Sequence, residues 1–142
     1  MKRMRSEKGA ALIEAAITVP IILLISVGIF EFGRAYQTMQ VLTNAAREGA
    51  RMAVITTSTD EAVASRVRSY MQAGSLTNHA TATVTVLRSV SMTGADTGSS
   101  VVIDYPFQFM VLNPVVRLIA PKDTKTGAPI TMKSSALMRN ES

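Results

Sequence analysis

The sequence predicts an α+β fold in which a long N-terminal transmembrane helix continues into a small domain with a second helix and a three-stranded antiparallel sheet. An apolar run from Ala10 to Phe30 contains a single charge and predicts the membrane-spanning helix. Helix-forming residues then continue without proline to Val54. The second half of the chain alternates apolar and polar residues, which is typical of strands. The 142 residues leave room for one small domain beyond the span.

The segment before the apolar run indicates how the chain is oriented. Residues 1–9 contain four basic residues and one acidic residue, and positive charges beside a span stay on the cytoplasmic side. The sequence therefore predicts a leader at 1–9, a transmembrane helix at 10–30 and an extracytoplasmic domain at 31–142. At about 1.5 Å per residue the span is about 31 Å long, which crosses a bilayer core. The alternative is an ordinary secretory signal peptide cut near Ser26-Val-Gly28. Such a peptide needs a shorter apolar core than this chain has.

Glu14 is the single charge inside the span, where an ionisable group costs about 2.5–3.5 kcal/mol on insertion scales. If a peptidase cut after Gly9, the mature chain would begin at Ala10 with a free ammonium, and Glu14 would be its fifth residue. The ammonium of one subunit could then neutralise the carboxylate of a neighbour. We therefore expect Glu14 to act in assembly.

Pro20 removes one backbone hydrogen bond from the same helix, freeing the carbonyl of Ala16. We expect the helix to bend or loosen there. A membrane proline that is simply tolerated is an equally weighted alternative.

The first third of the chain resembles a known family. A basic leader, Gly9, a small apolar residue and Glu14 look like the processing site of type IV prepilins and pseudopilins. The longer pattern is similar to the TadE-like proteins of the tight-adherence (Tad) pilus system. It reads Gly9-Ala-Ala-Leu-Ile-Glu14, then Pro20, then Gly28-Ile-Phe-Glu-Phe-Gly-Arg34, then Asn44-Ala-Ala-Arg-Glu-Gly-Ala-Arg51.

The resemblance implies a pilin-like fold and a minor pseudopilin, cut by a dedicated prepilin peptidase, that helps to assemble a thin adhesive pilus. In pilin-like proteins a helix loosened at such a proline helps subunits to pack, so the resemblance gives Pro20 a role in assembly. The major pilins of that system often carry Tyr after the Glu. This chain has Ala15 there, which favours an accessory subunit.

Residues 31–54 are expected to extend the helix beyond the membrane, with a narrow stripe of small side chains against the sheet. The small residues at helical spacing are Ala46, Gly49, Ala50 and Ala53. Close packing is our explanation for both Gly33 and Gly49. The residues assigned to helix packing and subunit contact are Asn44, Ala46, Arg47, Glu48, Gly49 and Arg51.

Arg47 and Arg51 are like charges one helical turn apart, so each is expected to have a carboxylate partner elsewhere. A solvated helix face and a contact between subunits are equally weighted interpretations of this pair.

A second helix is predicted from about Thr59 to Ala73, ending at Gly74. Ser58 and Glu61 form the pattern of a capping box at its start. Its periodic face consists of Ala62, Val63, Arg66, Val67, Tyr70 and Met71. The stem of Arg66 is expected to flank the apolar residues.

Three strands are predicted after Gly74, at Ala80–Val90, Ser100–Met110 and Ile130–Arg139. The turn Thr93-Gly-Ala-Asp-Thr-Gly-Ser joins the first two as a hairpin, and Pro106 predicts an edge or a break at the end of the second. The second strand places Val101, Ile103, Tyr105, Phe107 and Phe109 on one face. The third places Ile130, Met132, Ala136 and Met138 on one face. Asn113 and Pro114 predict the start of a short helical turn that reaches about Ile119.

Cysteine content and charge exclude several classes of function. The chain has no cysteine, so it can form neither a disulfide nor a thiolate metal site. The formal charge of +5 falls to +2 when residues 1–9 are removed, because 11 basic and 9 acidic residues remain. With no Trp and scattered arginines there is no basic and aromatic stripe, so we expect no nucleic-acid partner.

No set of residues predicts catalysis. His79 is the single histidine and follows Asn78 in a predicted linker, which favours a surface imidazole. The sequence contains no Gly-x-Ser-x-Gly elbow, no paired histidines and no phosphate-binding glycine loop. Asp96 supplies one carboxylate in a glycine-rich turn, whereas calcium takes about six to eight oxygens, so a plain turn is favoured. We expect no enzymatic activity, no cofactor and no metal.

The leading hypothesis is a minor pseudopilin for a Tad-type IV pilus used in adherence and biofilm growth. It would be processed after Gly9 and would assemble through its N-terminal helix. Its expected partners are the prepilin peptidase, other pilin-like subunits, the assembly platform and the lipid bilayer, within a hetero-oligomer. Its expected place is the bacterial inner membrane, with the N-terminus cytoplasmic, or the pilus itself.

Two alternatives remain open. One is an unprocessed, permanently anchored periplasmic module for binding or adhesion, which would keep residues 1–9. The other is an exported enzyme, which the lack of a convergent polar set disfavours.

Overall fold

Two helices and one sheet make up the part of the chain that the computed structural model describes, residues 2–92, 96–114 and 128–140. The elements in chain order are α1 (Lys2–Ala53), α2 (Asp60–Ala73), β1 (Thr83–Ser91), β2 (Thr97–Phe107) and β3 (Ile130–Arg139). The strands form one antiparallel sheet in the order β1-β2-β3. The predicted α+β class, with its long first helix, second helix and three-stranded sheet, is confirmed.

α1 is one unbroken helix of 52 residues that meets two different environments. It continues through Pro20, although proline cannot donate the usual hydrogen bond. Residues 10–26 are exposed along their whole length. Further along, one side of the helix is buried in the domain core, at Leu42, Ala45, Ala46, Ala50 and Ala53. The apolar segment and the domain therefore share a single element with no linker between them.

The central strand β2 supplies much of the core. Its inward residues Val101, Ile103, Tyr105 and Phe107 are at most 3% exposed, so the predicted alternation is confirmed. Phe109 lies beyond the end of the strand and is half-buried, with its ring edge-on to that of Phe107 at a centroid distance of 5.3 Å.

β3 has the predicted bounds, but its face differs in detail from the prediction. Met132, Ala136 and Met138 are half-buried against the core, whereas Ile130 is exposed. The buried residue of this strand is Ser134, which shares their parity. Ile130 is exposed because it is the first residue of β3, where the sheet ends.

The edge predicted from Pro106 at the end of the second strand is confirmed, although this strand lies in the middle of the sheet. β2 is the central strand, so Pro106 does not lie in an edge strand, and it pairs with Thr131 of β3. The pairing of β1 with β2, however, stops at Asp104. The last residues of β2 therefore have one free edge, where the Asn78 side-chain amide donates to the carbonyl of Pro106 over 2.9 Å.

β1 begins three residues later than predicted and contains an irregularity between Leu87 and Val90. Ser89 has a φ of 56° there, which is a left-handed conformation. Arg88, next to it, donates to the carbonyl of Ala53 at 2.9 Å, to the carbonyl of Ser58 at 2.7 Å and to Asp60 Oδ1 at 2.7 Å. One guanidinium thus joins β1 to the end of α1 and the start of α2.

Some predicted features fall partly outside the described residues. Residues 93–95 of the predicted hairpin turn are not described, although the amide of Met92 donates to the carbonyl of Asp96 over 3.0 Å. Residues 112–114 are helical, so the predicted turn begins one residue before Asn113. Its continuation to Ile119 lies outside the described residues.

The second helix has the predicted C-terminus but a different N-cap. α2 begins after Thr59, whose hydroxyl accepts from the amide of Ala62 over 3.2 Å. Ser58 is therefore not the cap. Its hydroxyl instead donates to the carbonyls of Met52 at 2.8 Å and Ile55 at 2.7 Å, which closes the end of α1.

The buried side of α2 is narrower than predicted and consists of Val63, Val67 and Met71, one turn apart. Arg66 and Tyr70 are exposed. The helix ends at Gly74 as predicted. A Cβ on Gly74 would lie 2.5 Å from Val41 Cγ1, so glycine is needed there because α1 packs closely against it.

The stripe of small residues on α1 is confirmed, and Gly49 is its closest contact. A Cβ on Gly49 would lie 2.5 Å from Val67 Cγ2 of α2 and 3.2 Å from Val101 Cγ1 of β2. The same explanation is wrong for Gly33, where a Cβ would meet nothing within 4 Å. Packing within this chain therefore requires one of the two glycines.

Replacing Gly49 with Ala should destabilise the full-length protein by about 1–3 kcal/mol, because the added methyl group overpacks the contact with Val67 and Val101. Unfolding in detergent, followed by circular dichroism, gives the measurement. Gly33→Ala is the matched control in the same helix and should stabilise it by up to about 1 kcal/mol through helix propensity. Equal stability of the two variants would contradict the proposed packing.

Candidate assembly site

The N-terminal part of α1 is an apolar rod that no other part of the described chain covers. It forms one helix near the N-terminus that is long and apolar enough to cross a membrane. Leu12, Ile13 and Ile17 are each more than 60% exposed. Exposing such side chains to water is unfavourable, at about 25 cal/mol per Å² of apolar surface. The helix therefore fits a single-pass membrane anchor.

The residues of the predicted processing site lie in regular helix at the start of this rod. Gly9 is half-buried and Ala10 is exposed. A Cβ on Gly9 would meet nothing within 4 Å, so packing within the chain does not require glycine there. Glu14 lies about one turn beyond Ala10 and is exposed, and no ion pair to it is found among the described residues. A single chain therefore leaves the Glu14 carboxylate without a described cation.

The Asn44–Arg51 block divides into two sides. Ala46 and Gly49 are buried in the domain, whereas Asn44, Arg47 and Arg51 are exposed. The exposed residues are spaced by three and four positions, which places them on one side of the helix. The block therefore combines an inward packing surface with an outward polar surface.

Glu48 joins the two helices through its carboxylate. Arg51 donates to both of its oxygens at 3.0 Å, and Arg66 of α2 donates to Oε1 at 2.9 and 3.1 Å. Hydrogen bonds from Arg51 and then Arg66 lower the pKa of Glu48 to about 2. The guanidinium group of Arg66, whose stem was expected to flank the apolar residues of α2, thus binds the carboxylate of Glu48.

The expectation of partners for both arginines of the block was right only for Arg51, whose partner Glu48 lies on the same helix. Arg47 has no ion pair to any described carboxylate, so the prediction was wrong there within that part of the chain. The carboxylate of Glu48, the residue after Arg47, is already bound by Arg51 and Arg66.

A further cluster, around Glu31, was not identified as a site from the sequence. Glu31 is completely buried, and its carboxylate accepts from Arg34 at 3.1 and 3.3 Å and from the amide of Val111. Arg34 also donates to the carbonyl of Gln108, and its guanidinium carbon lies 4.5 Å from the centroid of the Phe107 ring. A Glu directly after an apolar span, with an Arg three residues later, is the signal that was available.

The remaining polar residues considered for chemistry have ordinary contacts. His79 Nδ1 lies 2.8 Å from the carbonyl oxygen of Leu76. Asp96 forms an ion pair with Arg139 at 3.3 Å. Among residues 8–92, 96–114 and 128–140 there is no group of three or more potential metal ligands. A pocket lies beside Arg34, and its lining includes Asn78, Tyr105 and Phe109. Arg34 is the one charged residue among the described residues that line it.

Comparison with known proteins gives one result, which concerns α1. Residues 9–51 match the family described as TadE-like protein. The matched segment contains Gly9, Ala10, Glu14, Pro20 and the Asn44–Arg51 block, so the resemblance to TadE-like proteins is confirmed over this segment. No curated protein and no solved structure matches the chain. The matched segment lies entirely within α1 and does not include α2 or the sheet.

Acid should weaken the link between α1 and α2. The pKa of Glu48 is about 2 in the folded chain and 4.5 ordinarily, so its stabilisation is complete above about 4.5 and is lost as the pH falls toward 2. Because Arg51 and Arg66 are more than half exposed, each pair contributes only about 0.2–1 kcal/mol. Glu48→Gln should therefore be less stable than the parent protein near neutral pH, and this difference should shrink at a pH of about 3.

Urea unfolding of the full-length protein in detergent at both pH values measures the difference. Arg47→Gln is the control, because Arg47 has no described ion pair, and its stability should match that of the parent protein. A Glu48→Gln deficit of the same size at both pH values would contradict the assignment.

Proposed function

From the match of residues 9–51 to TadE-like proteins, we propose that this chain is a minor pseudopilin for the assembly of a Tad-type IV pilus. The observation that carries the proposal is the uncovered apolar helix with Glu14 as its single charge, placed inside the matched segment. A soluble protein has no use for such a rod. A subunit that is anchored in a bilayer before assembly, and that packs against the helices of other subunits afterwards, needs an exposed apolar helix in both environments.

Processing after Gly9 is the first step of this proposal. The open space around Gly9 supports it, because recognition by a peptidase then accounts for a glycine that packing does not require. Cleavage would create an ammonium on Ala10. Glu14, one helical turn further on, would become the fifth residue of the mature chain.

Contact between subunits is the second step. Glu14 is exposed and has no described cation in its own chain, so the ammonium of a neighbour would satisfy it in apolar surroundings. The exposed side of the Asn44–Arg51 block would extend this contact beyond the membrane. Arg47 is the residue of that block best suited to bind a partner, because it is exposed and its charge is not already paired within the described chain. Pro20, in the exposed rod, would let the helix adjust to neighbouring helices.

The expected surroundings follow from these two steps. The leader would face the cytoplasm and the domain would lie outside it. A prepilin peptidase, other pilin-like subunits and the pilus assembly platform would be the partners. The part played by the chain would be structural.

One observation favours an alternative, in which the chain stays unprocessed as a membrane-anchored periplasmic module for binding or adhesion. α1 runs from Lys2 to Ala53 without a break, so the Gly9-Ala10 bond lies within regular helix. A peptidase would have to open the helix locally at this bond. Glycine lowers the cost of that opening, since it is a weak helix former.

Gly9→Val should keep the precursor intact. We expect the parent protein, expressed with the prepilin peptidase, to begin at Ala10, and the variant to begin at Met1, because the peptidase no longer recognises its site. Intact mass and N-terminal sequencing of membrane-extracted protein give the answer. Gly28→Val is the matched control, since a Cβ there also meets nothing within 4 Å, and it should be processed normally. A parent protein that begins at Met1 in the presence of peptidase would establish the unprocessed anchor instead.

Glu14→Gln should leave the protein in the membrane and correctly processed but should impair its incorporation. Removing one partner of a charge pair in apolar surroundings costs about 3–5 kcal/mol, which corresponds to a loss of more than about a hundredfold. Quantifying the subunit in crosslinked assemblies and in sheared pili measures this loss. Glu61→Gln, an exposed glutamate of α2 outside the matched segment, is the control. Normal incorporation of Glu14→Gln would refute the role given to Glu14.

A further inference from the structure

Large apolar side chains surround α1 at the point where it leaves the predicted span. Phe30 is 59% exposed, Phe32 68% and Tyr36 67%. Phe32 and Tyr36 are four residues apart and share one side of the helix, whereas Glu31 and Arg34 share another side. At this level the helix is thus apolar on the side that faces away from the domain.

The domain adds an apolar loop at the same level. The loop 108–111 follows β2, and its residue Met110 is 65% exposed. The buried Glu31 carboxylate accepts from the amide of Val111, and Arg34 donates to the carbonyl of Gln108. These contacts attach both ends of the loop to the first turn of α1 after residue 30. Met110 is therefore held at the level of that turn.

This level has a definite position relative to a bilayer. Residues 10–30 make about 31 Å of helix, which equals the thickness of the hydrocarbon core, so the turn that contains Glu31 and Arg34 lies in the headgroup region. Aromatic side chains are enriched at that depth, where an apolar ring and a polar tip are both accommodated. Phe32, Tyr36 and Met110 would be costly in water but are suited to this layer.

We propose that the loop 108–111, together with Phe30, Phe32 and Tyr36, forms a lipid-docking surface that seats the domain on the extracytoplasmic face of the bilayer. The surface is continuous with the span and rests on the membrane-anchoring part of the proposed function. Its occupant is the boundary between lipid headgroups and acyl chains. The ion pair of Glu31 and Arg34 is the positioning element, because it fixes the loop to the helix that sets its depth.

The absence of cysteine from the sequence makes a clean experiment possible. Single cysteines are introduced at Met110 and, as a second position, at Tyr36 in the full-length protein, spin-labelled and reconstituted in lipid nanodiscs. Accessibility to oxygen, which partitions into lipid, is compared with accessibility to a water-soluble nickel chelate. Leu87→Cys is the matched control, since Leu87 is an apolar residue of β1 that is 48% exposed. Leu87 is next to Arg88, which donates to the carbonyl of Ala53 at the C-terminal end of α1. That end of the helix is about 33 Å from Glu31, so the control position is far from the membrane surface.

The expected result is an oxygen-to-nickel accessibility ratio at Met110 and Tyr36 that lies well above that of Leu87. A label at Ile21 reports on the span itself and should give the highest ratio. Nickel accessibility at Met110 equal to that at Leu87 would overturn the proposal, and a high ratio at Ile21 in the same experiment would leave the membrane anchor intact. Protection of Met110 from both reagents would also overturn it, because a protein surface would then be the occupant.

Discussion

The close approach of α1 to α2 and β2 is the contact on which the rest of the structure depends. Gly49 lies between Val67 and Val101 with no space for a methyl group, and alanines continue the same side of the helix. Small side chains let one helix serve as the core of the domain while its earlier turns remain a smooth apolar rod. A larger residue at this contact would separate the sheet from the helix.

Charged side chains then secure the edges of this packed unit. Glu31 and Arg34 attach the chain after β2 at one end of the packed part of α1, and Glu48 joins α1 to α2 close to the other end. Arg88 closes the far end by binding the carbonyls of Ala53 and Ser58. These groups add specificity of position more than stability, because several of the arginines are largely exposed.

The periodic patterns of apolar and small residues allowed most of the fold to be predicted. Contacts between residues that are distant in the sequence could not be predicted in this way. The apolar run, the inward face of β2 and the small residues of α1 each follow from spacing alone. The N-cap of α2 is Thr59 and not Ser58, because the hydroxyl of Ser58 already donates to the carbonyls of Met52 and Ile55. This contact depends on where α1 ends, which the local sequence does not show. The contact between Glu31 and Val111 joins residues eighty positions apart, so the local pairing of Glu31 with Arg34 could have indicated the cluster but not this contact. The proposed processing and assembly residues rest on their motif alone, whereas the fold was needed to show which residues of the Asn44–Arg51 block face outward.

The unbroken course of α1 also has a mechanical consequence. Because no flexible linker separates the apolar rod from the folded domain, a pull on the rod is transmitted to the domain through the helix itself. Beyond Pro20 the force is carried through consecutive helical hydrogen bonds, and it is then distributed over the packed side of α1 and its ion pairs. The folded domain is therefore mechanically coupled, through one helix, to whatever binds the exposed part of α1.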